Sequence, residues 1–136
     1  MKSLVVYYSY TGHTKAIAQK TAESESAEIA EISGVTRPGI VKALFFGCPA
    51  AIYGKSWPIK PLSADLKAFD RIILLSPVWA GNAPPTVNEL IKNLPENKTV
   101  TVKMISSTGR SSWKKHLEPV LSAKKCVLES YEDIIA

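Results

Sequence analysis

Leu4-Val5-Val6-Tyr7-Tyr8-Ser9-Tyr10-Thr11-Gly12-His13-Thr14 is the stretch whose reading decides the fold. Its first five residues are apolar β-formers, and an alanine-rich helical pattern follows its end. Between them lies a segment dense in hydroxyls. Gly12 permits a tight turn and close backbone approach, while Ser9, Thr11 and Thr14 place hydroxyl donors beside the free amides of a helix N-terminus. An anion is the expected occupant. An ordinary strand-to-helix turn capped by Thr11 or Thr14 uses the same letters, so position has to decide. This turn follows the first strand of an α/β chain, where ligands settle at the carboxyl ends of strands.

Working outward, apolar runs alternate with helical periodicities. Residues 2 to 8 form strand one, His13 to Glu23 helix one and Ala27 to Ile32 strand two. Thr36-Arg37-Pro38 resembles an N-cap with an early proline, opening a second helix to about Cys48 or beyond, where Pro49 is a possible kink. Gly54 to Ala64 is a loop, and Arg71 to Ser76 is strand three, apolar at successive positions as a strand buried on both faces should be. Pro77 to Pro84 form a loop, Pro85 to Leu94 helix three and Thr99 to Ile105 strand four. Ser112 to Ala123 then form helix four and Cys126 to Tyr131 strand five. Helical crossovers between strands imply a parallel sheet.

The chain has 136 residues, 46% of them hydrophobic, which fits a single domain over 1–136 with a real core. Seventeen Lys and Arg against twelve Asp and Glu give a net charge of +5, too modest and dispersed to argue for nucleic acid. Cys48 and Cys126 read as reduced core thiols, and His13 and His116 are isolated, so no metal is expected. The longest apolar stretch, Ile40 to Tyr53, is too short for a bilayer, and no signal peptide pattern opens the chain. A cytoplasmic location is expected, with no membrane partner.

With these elements in place the chain resembles the flavodoxin-like family, in particular its short-chain FMN-binding flavodoxins. The family's first loop reads hydroxyl-x-Thr-Gly-x-Thr, here Ser9-Tyr10-Thr11-Gly12-His13-Thr14. Ser76-Pro77-Val78-Trp79-Ala80-Gly81-Asn82 is similar to its aromatic loop, and Ser106-Ser107-Thr108-Gly109-Arg110 to its third flavin-contacting loop. The resemblance implies a three-layer α/β sandwich with a five-stranded parallel sheet of order 2-1-3-4-5 and FMN at the carboxyl ends of strands one, three and four. The implied contacts are Ser9, Tyr10, Thr11, Gly12, His13 and Thr14 at the phosphate, with Pro77, Val78, Trp79, Ala80, Gly81, Ser107, Thr108 and Gly109 around the ring. Trp79 is the expected stacking partner, with core packing as its other role. His13 faces phosphate or solvent. Trp57 packs over helix two or beside the site, and Trp113 docks helix four or shields the flavin edge.

The family's final helix is absent from the reading, since the chain ends five residues after Tyr131. Helices two, three and four would then cover one sheet face, leaving the opposite face of strands three to five bare, wet or held by a partner subunit in a homodimer. The resemblance implies an electron carrier between redox partner proteins rather than an enzyme with its own substrate. Two alternatives stay open: an NAD(P)H-dependent FMN oxidoreductase of quinone-reductase type, and a cofactor-free interaction module. Flavodoxins tend to be acidic around the flavin, whereas this chain is basic overall.

Overall fold

The computed structural model describes residues 2–10, 12–35 and 48–136. The strands are β1 (Ser3–Tyr7), β2 (Glu28–Glu31), β3 (Arg71–Pro77), β4 (Thr99–Ser106) and β5 (Val127–Ile135). The helices are α1 (His13–Glu25), α2 (Cys48–Ile52), α3 (Pro85–Lys92) and α4 (Lys114–Ala123), with a 3-10 turn at Leu66–Ala68. Every strand pair is parallel, as the helical crossovers predict, and the sheet order is β2-β1-β3-β4-β5, as the resemblance implies. Most of the expected second helix, up to residue 47, lies outside the described residues, as does Thr11.

Alternation along the strands splits the core in two. Leu4, Val6, Ile72, Leu74, Val100, Val102 and Met104 face the layer that contains α3 and α4, where Val87, Leu90, Trp113, Leu117 and Leu121 are buried with them. Val5, Tyr7, Ile73, Leu75 and Ile105 face α1, packing against Ala18 and Ala22 with Ile17 and Ile134 alongside. Alanines at a spacing of four let α1 lie close to the sheet. Both cysteines are free, Cys126 buried and Cys48 only half-buried.

Two expectations change. Strand five does not stop at Tyr131 but runs to Ile135. A β-bulge at Glu129 shifts its register between Val100 and Thr101 of β4, so Leu128 and Tyr131, three apart, both pack on the core side. That phase change breaks the period of two on which the sequence reading rests.

The α1-side face of β3 is also not bare, because Ile73 and Leu75 are buried beneath α1. The face of β4 and β5 beyond it is polar. Arg71 bridges Glu25 of α1 at 3.1 Å and Glu129 of β5 at 2.8 Å, while Glu129 also accepts from Thr101 Oγ1 at 2.9 Å. Lys103 pairs with Glu132 at 3.8 Å. A homodimer through this face would meet charged pairs rather than an apolar surface.

Candidate functional site

The loops after β1, β3 and β4 meet at the carboxyl end of the sheet. In the first, Gly12 is the N-cap of α1 at φ 100°, with no side-chain cap bond. Thr14 lies inside the helix and does not cap it. A Cβ on Gly12 would meet no atom within 4 Å, so the glycine serves the backbone angle rather than close packing. The amides of Gly12 and Lys15 both donate to Ser9 Oγ, at 3.0 and 3.4 Å. Two N–H groups thus aim at one point that an oxygen fills, and such convergent donors at a helix start suit an anionic oxygen. His13 is exposed, on the solvent side of the alternatives. Thr14 is buried and continues the Ala18 and Ala22 stripe of α1, so it belongs to the sheet-facing side of the loop.

In the second loop, Trp79 and Asn82 exchange both backbone hydrogen bonds, at 2.7 and 3.0 Å, around Ala80 and Gly81. Positive φ at both central residues, 49° and 82°, makes this a type I′ turn, in which glycine is relaxed and alanine is not. Pro77 ends β3, and Val78 is half-buried beside it. Asn82 is buried, its Nδ2 donates to Ala80 O at 3.2 Å, and its Oδ1 has no partner among the described residues. The Gly81 carbonyl accepts from the Ser112 amide, tying the second loop to the third.

The half-buried Trp79 ring joins the first loop to the second. Tyr10 meets it edge-on at 5.6 Å, Tyr8 at 6.2 Å and Trp57 at 6.4 Å. It packs against the main core, which is the second of its expected roles. Trp57 takes the place beside the site, which its surroundings in sequence did not decide. Trp113 is a core residue, its Nε1 donating to Asn88 Oδ1 at 2.8 Å, so it docks α4 and does not shield the site.

In the third loop, the Gly109 amide donates to Ser106 Oγ at 2.9 Å, and Ser107 and Thr108 are exposed. Gly109 has φ 68°, and a Cβ there would lie 2.6 Å from Ile135 Cγ1. Val78, Gly81, Thr108, Gly109 and Asp133 help line an open cavity of about 550 Å3 between the second and third loops. Asp133 is a residue that sequence reasoning missed, because strand five was ended before it. Ser111 Oγ donates to Asp133 Oδ1 at 2.6 Å, and since serine has one hydroxyl hydrogen, the Tyr131 hydroxyl donates to Ser111 at 2.6 Å. Burial pushes the Tyr131 phenol above its usual range, with the Asp133 charge adding to the rise and the hydrogen bonds opposing it.

Of the residues expected from sequence, the structure places Ser9, Tyr10 and Gly12 in the first loop, Val78 and Gly81 of the second loop beside Thr108 and Gly109 of the third, and Trp79 between the two groups, against Tyr10. These residues fit FMN: convergent donors for a phosphate, an aromatic wall, and a cavity between two loops for a planar ring. No metal-ligating group of three or more His, Cys, Asp or Glu occurs among the described residues. No helix among them is long and apolar enough to cross a membrane.

No protein-family model matches the chain, and no curated protein matches it. Solved structures do. A flavoprotein from Lactobacillus acidophilus NCFM, crystallised in complex with FMN, superposes with a TM-score of 0.77 at 22% identity, covering 96% of this chain and 91% of that one. The apo-form of the Lactobacillus acidophilus NCFM flavoprotein, solved by NMR, gives 0.67 at 22% identity, with 97% and 92% covered. Oxidised Flavodoxin 2 from Bacillus cereus gives 0.57 at 20% identity, with 100% and 86% covered. Strand order, crossovers and near-complete coverage agree, and the chain has the flavodoxin-like fold.

Proposed function

We propose that the chain binds FMN at the carboxyl end of its sheet and serves as an electron-transfer protein. The observation that carries this reading is the junction of the first two loops. Donors that converge at Ser9 lie one aromatic contact away, through Tyr10, from the half-buried Trp79. One end suits a phosphate and the other a flat ring. The similar Lactobacillus acidophilus flavoprotein in complex with FMN supports the same assignment.

The Gly12 and Lys15 amides and the Ser9 hydroxyl would hold the phosphate without a dedicated cation. Trp79 would pack against the ring and keep water from it. The Gly81 and Thr108–Gly109 backbones would border the ring, with Gly81 held by Ser112. The flavin supplies the redox chemistry. The protein supplies position, hydrogen bonds and dryness.

A carrier and a self-sufficient reductase differ in one assay. The FMN-loaded protein is expected to pass electrons from an added flavin reductase to a haem protein while consuming NADPH negligibly on its own. Sustained NADPH oxidation by the purified protein with a quinone acceptor would replace the carrier reading with that of an oxidoreductase.

A further inference from the structure

Six exposed cations gather at one end of the strands, while Lys2 and Arg71 at the other end lie beside acids. Lys15 in the first turn of α1, Lys55 and Lys60 in the segment before the 3-10 turn, Arg110 after β4, and Lys114 and Lys115 opening α4 are all exposed. All of them rim the carboxyl end of the sheet. The Lys55 carbonyl accepts from Asn88 of α3, and the Lys60 amide donates to Ser33, just after β2. None of these cations forms an ion pair among the described residues, where the pairs fall to Lys2, Arg71 and Lys103.

The carboxylates at the same edge are engaged. Glu31 accepts from the Tyr7 hydroxyl and Asp133 from Ser111. Other acids gather at the opposite edge: Glu23 and Glu25 close α1, Glu28 opens β2, and Asp70 precedes β3. Cations in the first turns of α1 and α4 oppose the helix dipole, and no acid occupies either turn. Local helix stability does not explain this placement.

Resting on the FMN reading above, we infer that this basic rim docks an acidic surface of a partner redox protein over the flavin. The cations are spread over segments that follow three strands, β1, β2 and β4, rather than held in one loop as a nucleotide diphosphate would require. A ring of separate positive charges around the site complements an extended negative patch, and such complementarity acts on encounter rate and orientation. The partner is a protein with acids around its own exposed redox centre.

Cytochrome b5, an acidic haem protein, and cytochrome c, a basic one, serve as probes. With the 15N-labelled chain at low salt, cytochrome b5 is expected to shift amides around Lys15, Arg110 and Lys114, and the shifts should vanish in 0.5 M NaCl. The mapping needs no flavin, so failure to take up FMN is seen separately, in the absorbance of the reconstituted protein. With FMN loaded and reduced, the second-order rate to cytochrome b5 should fall about tenfold between roughly 10 and 200 mM salt. The double variant Lys114→Glu, Lys115→Glu should lose a similar factor at low salt, while Lys67→Glu, at the far edge, should not. Shifts at the far edge, equal behaviour with both cytochromes, or saturable NADPH binding at these amides without cytochrome b5 binding would overturn the inference.

Discussion

Tyr7 shows how one residue links burial to pH. Its phenol is pushed up to about 12 by burial first, then by donating to Glu31 and by that residue's charge. The folded state therefore holds this proton more tightly than the unfolded chain, whose tyrosine loses it near pH 10. The contribution is complete below about pH 10 and is lost as pH rises toward 12. Chemical denaturation across that window should show falling stability, and Tyr7→Phe should make the fall shallower. Ala80 is a second case. Alanine at φ 49° is strained in a turn that favours asparagine, so Ala80→Asn should stabilise the protein by about 0.5–1 kcal/mol in the same assay. At Gly109 the sign reverses. The left-handed backbone and the nearby Ile135 should cost Gly109→Ala about 1–2 kcal/mol, read as a lower denaturation midpoint.

Among the elements, α1 carries a conflict between stability and binding. Lys15 stands in its third position, where a glutamate would suit both the dipole and a capping role. Lys15→Glu should raise stability by about 0.5 kcal/mol while weakening attachment of FMN and of an acidic partner. Calorimetry and binding should therefore move in opposite directions. The elements were legible in sequence where local pattern and tertiary packing agree: β1, β3 and β4 sit within a residue or so of their expected bounds. Strand five was cut short because the Glu129 bulge shifts the phase of its alternation, and a bulge leaves no mark in a period of two. Trp57 was equally hidden. Its contact with Trp79 joins segments far apart in sequence, and only the folded sheet edge brings them together.

For the whole molecule, the sequence leaves the face of strands three to five bare, wet or held by a partner subunit, and the structure buries β3 beneath α1 and lays charged pairs over β4 and β5. Alternation in β4 shows Thr101 and Lys103 as polar, but sequence does not show that Arg71 reaches Glu25 and Glu129 across three elements. The site edge was legible because three hydroxyl-Gly or aromatic-Gly loops each follow a strand. What sequence could not supply was their joining through Tyr10, Trp79 and the Gly81–Ser112 bond. Those contacts make one site of three loops. The most direct measurement is an equilibrium titration of FMN and riboflavin fluorescence with the purified chain. Saturable one-to-one quenching of FMN, with riboflavin bound at least tenfold more weakly because it offers the Gly12 and Lys15 amides no phosphate, is the predicted result. Equal affinity for the two flavins, or no quenching of FMN at all, would contradict it.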